Sequence, residues 1–375
     1  MTKWPGANLA PTQLLDPSGE GIMLGRSAAF RVALLIPMCG SAGLWAPSCI
    51  ASAQIAVNDL NRRAGIAGRQ VQIIMIDSAL EAQTPVEELV NALIENGAID
   101  AIVGMHISAI RQRLNKIVKT RVPYVYTPLY EGGECTPGVF TIGDTPEQQL
   151  GPAMSHLQQR YGLRKWALIG NDYVWPRASN SYAKQKLAEM GAALVYEKYL
   201  PFGGQALPSE VEAIEASGAD VVLMSLVGQD AIDFNRLFGA HGLDRQMIRL
   251  SCAIEENGLL ASGAENLKRV FSAASYFAAV NTPENALFRE KYYGFHGETA
   301  PMLNSLGQST FEGMQFLASL IGGGKTDWRS RAYSRQSPIL YDSVRSASYF
   351  NNAGNGAPVY LARANGVLFD EIIPL

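Results

Sequence analysis

Short apolar runs alternate with longer amphipathic segments through most of the chain, and this alternation limits the fold more than any other feature. Each run has the length of a buried strand, and each intervening segment has the length of a helix. Such alternation indicates parallel sheets covered by helices on both faces, so we expect a doubly wound α/β fold. The predicted strands are residues 30–37, 71–77, 101–104, 123–127, 166–170, 194–199, 221–225 and 270–274.

The pattern changes near the end of the chain. Residues 359–362 and 367–372 are two further strand-like runs, with Asn365 and Gly366 between them. Asn-Gly is the strongest short hairpin signal, because both residues adopt the positive φ angles that a tight hairpin turn requires. The chain is therefore expected to close with an antiparallel pair.

Three threonine-proline pairs mark predicted helix starts. Thr84, Thr145 and Thr282 each precede a proline, and a glutamate or glutamine follows in the first turn. A threonine hydroxyl can cap the first N–H groups of a helix, and proline fits the first helical position. Another helix is predicted over residues 49–60, with Gly65 as its stop signal.

Length, charge and hydropathy exclude several classes of protein. The 375 residues, of which 47% are hydrophobic, suit two cores rather than one. The net charge is −3 and the 31 basic residues are scattered, so direct binding of nucleic acid is not expected. No uncharged apolar run approaches ~20 residues, so membrane insertion is not expected either. Residues 1–29 lack the apolar core of a secretory signal, which predicts a cytoplasmic location, or a periplasmic one where a leader has been removed.

The cysteines and histidines are dispersed. The four cysteines have no C-x-x-C spacing, and the four histidines have no second histidine or carboxylate at a metal-binding spacing. We therefore expect no metal site and no cofactor. A disulfide bond between Cys39 and Cys49 is the alternative to four unpaired cysteines.

Nucleophilic catalysis has no support in the sequence. His106 and Ser108 are two residues apart, a spacing at which side chains of a strand diverge, and the G-x-S-x-G motif is absent. No catalytic residue is predicted, and the chain is expected to be non-enzymatic.

Hydroxyl and aromatic residues gather in the loops that follow the predicted strands. Together with free backbone amides, they can hold a small polar ligand between apolar walls. The stretch from Tyr173 to Asn180 is the most informative, because its rings come directly after the apolar run that ends at Gly170. A ligand cleft is therefore expected, with packing of each ring against its own loop as the alternative. The loops are residues 39–45, 105–108, 127–130, 171–175, 227–230, 253–256 and 275–277.

These features resemble a known family. Residues 53–68 and the following strand, which ends at Asp77, are similar to the type I periplasmic-binding-protein superfamily, in the class that binds leucine, isoleucine and valine. Residues 126–132, 170–180 and 281–284 resemble most closely the branch that binds urea and short-chain amides. That branch includes the cytoplasmic amide sensor, a negative regulator that controls an aliphatic amidase operon by sequestering an antiterminator.

The resemblance implies two α/β lobes with mainly parallel sheets, joined by three crossovers, and a ligand cleft between the lobes. The first lobe is expected at residues 30–148 and 281–336, and the second at residues 149–280 and 337–375. Residues 1–29 would be an N-terminal extension. A bound ligand would favour the closed form.

The resemblance also implies which residues contact the ligand. By position, Ser108 and Thr127 would offer hydroxyl and backbone groups from the first lobe. Tyr173 and Trp175 would close from the second lobe. Further candidate ligand-binding residues are His106, Tyr126, Val227, Glu255 and Tyr276.

Two departures from the amide branch bear on the ligand. His106 and Trp175 stand where the amide sensor has tyrosines, so a different or larger ligand is expected; for His106, hydrogen bonding at a strand end is an equal alternative. An amide or urea needs both donors and acceptors between flat apolar walls. An amino acid would need a carboxylate for its ammonium group, which Glu255 or Glu256 could supply.

Two roles suit such a fold. A transport component delivers a small polar ligand to an ABC permease and needs export, whereas a cytoplasmic sensor passes the ligand signal to a protein such as the antiterminator. The N-terminal sequence favours the sensor, and the preponderance of transport proteins in the family favours the other role. A homodimer and an amide-processing enzyme are further alternatives.

Overall fold

A computed structural model describes residues 13–14, 29–80, 82–203, 207–322, 328–329, 339–349 and 355–375. Within these residues the chain forms two α/β lobes, each built on one large sheet. Most of the extension predicted for residues 1–29 lies outside the described residues.

The first lobe is built on a parallel sheet. Strand β2 lies in its interior and is buried along its whole length, which fits a strand covered by helices on both faces. The order of strands in this sheet is β1-β3-β2-β4-β5-β6, and every neighbouring pair is parallel. The strands are β1 (Gln13–Leu14), β2 (Phe30–Ile36), β3 (Val71–Asp77), β4 (Ala101–Gly104), β5 (Tyr124–Tyr126) and β6 (Val139–Thr141).

The second lobe is built on a mixed sheet. The remaining strands are β7 (Lys165–Asn171), β8 (Ala193–Leu200), β9 (Val221–Ser225), β10 (Ile248–Ser251), β11 (Val270–Ala274), β12 (Ile339–Leu340), β13 (Ser348–Tyr349), β14 (Tyr360–Asn365) and β15 (Leu368–Pro374). The order in the large sheet is β15-β14-β11-β10-β9-β7-β8. Strands β7 to β11 pair in parallel, and β14 pairs antiparallel with both β11 and β15. The predicted α/β fold and the closing hairpin are both confirmed.

Helices cover both sheets. They are α1 (Ala46–Arg62), α2 (Val86–Glu95), α3 (Ser108–Val118), α4 (Pro146–Tyr161), α5 (Val174–Glu189), α6 (Leu207–Ala216), α7 (Gln229–Ala240), α8 (Glu256–Ser262), α9 (Pro283–His296) and α10 (Ser305–Gly322). Helices α9 and α10 follow strand β11 of the second sheet in sequence but pack on α1 of the first lobe. The chain therefore returns to the first lobe after β11. No helix of the described residues is long and apolar enough to cross a membrane.

Two of the three predicted helix caps are confirmed. Thr145 forms a capping box in which its N–H donates to Oε1 of Gln148 at 3.0 Å. The hydroxyl of Thr282 accepts from the N–H of Asn285 at 3.2 Å. The cap predicted at Thr84 is wrong, because α2 begins one residue later, with extended backbone at Pro85 and no side-chain cap.

Three crossovers join the lobes, and we number them along the chain. The first crossover is residues 142–145, the second is residues 275–282, and the third is residues 341–359, of which 350–354 lie outside the described residues. Strand β12, just before the third crossover, packs beside α10 of the first lobe. The boundary predicted at residues 336 and 337 also lies outside the described residues, so the division of the chain into lobes stays a prediction.

Strand β10 was absent from the predicted strands because a charged residue interrupts its short apolar run. Arg249 lies in the middle of this strand and is fully buried. Its guanidinium donates to Oδ1 of Asn235 at 2.5 Å and to two backbone carbonyls, and it stacks on the ring of Phe238. Burial lowers the pKa of Arg249 to about 9. A cation whose two terminal nitrogens are hydrogen-bonded can therefore occupy an interior strand that hydropathy alone does not reveal.

Cys39 and Cys49 are not joined by a disulfide. Cys39 is exposed, whereas Cys49 is buried in the core of the first lobe. Cys135 is exposed and Cys252 is buried, so only half of the cysteines behave as the small buried residues that the sequence suggested.

Candidate functional site

A cavity lies between the lobes at the carboxyl ends of the central strands. About 350 Å³ of space there, with the open solvent at the cavity mouth included, is not filled by protein atoms. Residues from both lobes line it: Trp45, Met105, His106, Ile107, Ser108, Tyr126, Pro128, Leu129, Tyr173, Trp175, Val227, Ala253, Glu255 and Leu306. Seven of the nine predicted site residues are among them, and their roles toward a ligand stay predictions.

Ser108 is the first residue of helix α3 and is buried at the cavity wall. Ile107 before it is extended, so the chain turns directly from the strand-end loop into the helix. The first N–H groups of a helix have no partner within it and carry a partial positive charge. The Ser108 hydroxyl lies 3.3 Å from the Tyr126 hydroxyl. This corner of the cavity is therefore suited to an anionic or hydrogen-bond-accepting group.

An ion-pair cluster supports Ser108 from behind. Arg111 lies one turn further along α3 and donates to the Ser108 hydroxyl over a long 3.5 Å contact. Its guanidinium also pairs with Glu131 at 2.7 Å and with Glu134 at 2.9 Å, and it stacks over the Tyr126 ring. Since two carboxylates already neutralise Arg111, it orients the serine and is not a free cation for a ligand.

His106 lines the cavity, but hydrogen bonds to the protein occupy both of its ring nitrogens. Nδ1 lies 3.1 Å from the Ile107 carbonyl, which can only accept, so Nδ1 carries the proton. Nε2 then accepts from the Tyr124 hydroxyl at 2.9 Å. Burial lowers the pKa of His106 to about 3, so the ring is neutral. Of the two interpretations of this residue, the structure favours hydrogen bonding at the strand end.

Tyr126 forms part of the cavity wall, but Thr127 lies behind it. The Tyr126 hydroxyl donates to the His106 carbonyl at 2.7 Å. The Thr127 hydroxyl and N–H both point to the Gly104 carbonyl, at 3.5 and 3.0 Å, and its methyl group faces Gly313 of α10. These hydrogen-bonding groups hold β5 to β4 and Thr127 does not line the cavity, so nothing here supports its predicted contact with a ligand, which stays a prediction.

Tyr276 also lies outside the cavity lining. Its ring is buried in the second crossover, and its hydroxyl donates to Oδ1 of Asn285 on α9 at 2.8 Å. Asn285 in turn donates to the carbonyls of Ala278 and Val280. This network directs the Tyr276 hydroxyl toward the crossover, and its predicted ligand contact stays a prediction.

Tyr173 and Trp175 form the aromatic wall that the second lobe contributes to the cavity. Tyr173 is the extended residue before α5, and its ring stacks on Phe202 with centroids 5.5 Å apart. The Trp175 ring lies 6.4 Å from that of Tyr173. The buried indole N–H of Trp175 has no hydrogen-bond partner within the described part of the chain. Val227, in the loop after β9, completes this wall, and its N–H donates to Oδ1 of Asn171 at 2.9 Å.

The later residues of the 173–180 stretch serve the interior of the second lobe. Asn180 is fully buried and accepts from the Ser225 hydroxyl at 2.9 Å, which ties α5 to β9. Arg177 is half exposed and pairs with Asp172 at 2.7 Å. Only the first half of the stretch therefore reaches the cavity.

Glu255 is the ionisable group that distinguishes this cavity. It is 5% exposed, and no ion pair or hydrogen bond to its carboxyl from another residue occurs within the described ranges. Burial, with a smaller contribution from the neighbouring Glu256 charge, raises its pKa from 4.5 to about 7. The Trp45 indole N–H approaches closely enough to oppose that rise slightly, but its geometry falls short of a hydrogen bond.

Glu256, the sequence alternative to Glu255, faces away from the cavity. Its Oε1 accepts from the N–H of Ala278 in the second crossover at 2.8 Å. Burial raises its pKa to about 7 as well. The two adjacent carboxyls therefore have different surroundings, and only Glu255 can meet a ligand.

The two lobes are closed over the cavity. Asn257 of α8 donates to the Leu44 carbonyl at 3.0 Å and accepts from Asn304, also at 3.0 Å. Gly228 has a φ of +58°, and a Cβ there would lie 2.2 Å from the Ser41 carbonyl oxygen of the other lobe. Contacts this close show that the two lobes touch each other beside the cavity.

Most cavity residues that were not predicted individually lie in predicted loops. Trp45, Met105, Leu129 and Ala253 belong to strand-end loops that the sequence indicated. Leu306 is different, because it lies on α10, which reaches the cavity only after the chain has returned to the first lobe. Among the described residues, no cluster of histidine, cysteine, aspartate or glutamate could hold a metal ion.

Comparison with known proteins agrees with this architecture. A family model described as periplasmic binding protein matches residues 29–365. A solute-binding protein of an ABC transporter from R. palustris, in complex with 4-hydroxybenzoate, is 17% identical, with 92% of this chain and 96% of that chain covered and a TM-score of 0.79. The periplasmic binding protein from Burkholderia mallei is 14% identical, with coverages of 92% and 94% and a TM-score of 0.80. The branched-chain amino acid transporter substrate binding protein LivJ from Streptococcus pneumoniae, in complex with isoleucine, is 12% identical, with coverages of 92% and 100% and a TM-score of 0.79.

Proposed function

The chain belongs to the periplasmic binding protein family, and on that premise we propose that it captures a small ligand of the amino acid class between its two lobes. The observation that carries this proposal is the buried Glu255 carboxyl, which faces the cavity and has no cationic partner among the described residues. A ligand ammonium group would supply that partner.

The energetic argument concerns the cost of an ionised carboxylate in the closed cleft. A rise of the Glu255 pKa from 4.5 to about 7 corresponds to about 3 kcal/mol of unfavourable free energy when the group is ionised. An ammonium group of the ligand offsets this cost, because a buried charge is tolerated when it is paired and hydrogen-bonded. Closure over a cationic group is then favoured over closure of the empty cleft.

A second part of the cavity, at Ser108, suits the ligand's carboxylate. The N-terminus of α3 and the Ser108 hydroxyl offer donors there, with a helix dipole of the favourable sign. The rings of Trp45, Tyr173 and Trp175 also line the cavity and fit an apolar side chain of the ligand. Several neighbouring folds carry ligands of this general kind, a carboxylate joined to an apolar group, such as isoleucine in LivJ.

A neutral amide or urea is the second candidate ligand. It is favoured by the Asp172 to Asn180 sequence, which resembles the amide-binding branch, and by the Glu255 pKa of about 7, which leaves much of that carboxyl neutral near pH 7. A neutral carboxyl can accept from an amide NH₂ and donate to its carbonyl. The two candidates therefore differ in the charge state of Glu255 that binding requires.

We further propose binding without turnover, in a transport role. His106 is neutral with both ring nitrogens occupied, so it is not available as a base toward Ser108. A transport role requires export and an ABC permease as partner. A sensor acting on an antiterminator remains the alternative role, and permease genes beside this gene would favour transport.

Calorimetric titration with matched ligands tests the proposal. L-leucine, N-acetyl-L-leucine and L-leucinamide share one side chain, but the second lacks the ammonium group and the third lacks the carboxylate. We expect L-leucine to bind more tightly than both, and more tightly than acetamide or urea. Tighter binding of acetamide or urea than of any amino acid would overturn the amino acid assignment in favour of the amide.

A further inference from the structure

The guanidinium of Arg345, on the third crossover, lies where all three crossovers meet. Nη1 donates to the Ser275 hydroxyl of the second crossover at 2.5 Å. It also lies 3.3 Å from Oδ1 of Asp144 on the first crossover, and Nη2 lies 3.3 Å from the Ile142 carbonyl. One side chain thus contacts both of the other connections between the lobes.

Asp144 makes a second set of links between the same segments. Its Oδ2 accepts from the N–H of Ser275 at 3.1 Å, and its Oδ1 accepts from the Asn355 amide on the third crossover at 2.8 Å. Gln149, on α4 of the second lobe, donates to it at 3.2 Å. Asp144 therefore joins the three crossovers independently of Arg345.

A carboxylate of the first lobe anchors this network. Glu312 of α10 accepts from Nε and Nη2 of Arg345 at 2.9 and 2.7 Å. The Arg345, Asp144 and Glu312 side chains are each at most 6% exposed. Buried charges with all their hydrogen-bonding groups satisfied have one well-defined arrangement, because any displacement leaves a desolvated charge unpaired.

We infer that Arg345 and Asp144 are positioning residues, which join the three crossovers into one rigid hinge core and fix the angle at which the lobes close. Neither residue lines the cavity, so neither contacts a ligand. The inference rests on the proposed function only in that closure over a ligand is the movement that the hinge core guides. The interlobe angle itself can be measured without any ligand.

The experiment measures the distance between the lobes in ligand-free protein. Lys116 of α3 and Gln185 of α5 are exposed on helices that face each other across the cleft, so both are replaced by cysteine and spin-labelled. The exposed Cys39 and Cys135 are replaced by serine to prevent labelling there. Pulsed electron paramagnetic resonance then gives the distribution of interlobe distances, after unfolding and refolding have removed any co-purified ligand.

Two matched serine variants separate a hinge role from a general structural role. Ser275→Ala removes the hydroxyl that Arg345 donates to, whereas Ser225→Ala removes an equally buried hydroxyl that bonds only within the second lobe, to Asn180. We expect Ser275→Ala to broaden the interlobe distance distribution well beyond that of the parent protein, and Ser225→Ala to leave its width unchanged. Thermal unfolding of both variants gives the accompanying stability loss.

Two further variants keep the test decisive if Ser275→Ala does not fold. Asn355→Ala removes the amide that bonds to Asp144 and to the Ile142 carbonyl. Arg345→Lys keeps the charge but loses the planar fork that reaches several partners at once, so it too should broaden the distribution. Unchanged widths in the folded variants, with lower thermal stability, would overturn the hinge role. Failure of all three variants to fold would also overturn it, since it would show a requirement for folding rather than for the interlobe angle.

Discussion

Replacement of Glu255 by glutamine isolates the effect of one buried charge, since glutamine has nearly the same shape. In the closed cleft the ionised carboxylate carries a cost of about 3 kcal/mol, because its pKa is raised from 4.5 to about 7. Glu255→Gln removes that cost. We therefore expect the variant to be more stable than the parent protein in its ligand-free closed form, and to bind L-leucine more weakly.

The stability difference depends on pH with a defined sign. A carboxyl whose pKa is raised by folding contributes stability that is fully present below pH 4.5 and is lost as the pH rises through about 7. The stability gained by Glu255→Gln should therefore be small at pH 4.5 and reach about 3 kcal/mol at pH 8, to the extent that the ligand-free cleft stays closed. Urea unfolding at the two pH values measures it.

Binding should change in the opposite direction. Loss of one partner of a buried charge pair costs about 2 to 5 kcal/mol, which is a rise in Kd of about 30-fold to 5,000-fold for L-leucine at pH 8. In the parent protein, L-leucine binding should weaken by up to about tenfold per pH unit below pH 7, because Glu255 must then release a proton. Isothermal titration calorimetry at pH 5 and pH 8 gives both quantities.

Glu256→Gln is the matched control. It has the same residue type and a similarly raised pKa, but it bonds to the Ala278 N–H and lies off the cavity. We expect it to leave the Kd for L-leucine nearly unchanged. An equal effect of both glutamines on the Kd, or no effect of Glu255→Gln, would refute the role assigned to the Glu255 charge.

Three further substitutions test other parts of the site. Ser108→Ala should raise the Kd for L-leucine about tenfold by calorimetry while leaving the melting temperature within a few degrees, and an unchanged Kd would exclude the hydroxyl as a ligand contact. Tyr276→Phe should lower the free energy of unfolding by about 1 kcal/mol, because it removes the hydrogen bond from the Tyr276 hydroxyl to Asn285. The Kd should not change, because Tyr276 lies outside the cavity lining. A weakened affinity would contradict that placement. Gly228→Ala should hold the lobes apart, since the new Cβ would lie 2.2 Å from the Ser41 carbonyl oxygen. X-ray scattering in the presence of ligand should then give a larger radius of gyration for the variant than for the parent protein. An equal radius would contradict this prediction.

The sequence predicted the sheets well where strands are uniformly apolar. All the predicted strands are found, since residues such as those of β2 and β9 are buried without exception. Strand β6 has only three residues, and β10 contains Arg249, so neither has a run long or apolar enough to stand out. The positions of these two strands depend on tertiary contacts that local hydropathy does not contain.

The site was predicted at the level of loops rather than side chains. Parallel strands of one lobe end at the same edge, so loops after them are brought together wherever the helices lie. Which side chain of a loop faces the cavity depends on backbone direction over one or two residues. Thr127 and Tyr276 were expected at the ligand and face the interior, and adjacent Glu255 and Glu256 differ only in this way.

The buried carboxylates of the hinge and of the cavity have different partners, and the difference bears on function. At the hinge, Asp144 and Glu312 are held by the Arg345 guanidinium and by neutral donors, so their charges are neutralised by the protein itself. In the cavity, Glu255 is equally buried, but no cation lies beside it in the part of the chain that the structure describes. A permanent partner stabilises an arrangement that should not change, whereas a missing partner makes closure depend on a group from outside. A hinge whose charges are paired, together with a cleft carboxylate that has no partner, suits closure on a ligand that carries an ammonium group. The ligand then supplies the difference in free energy between the open and closed states.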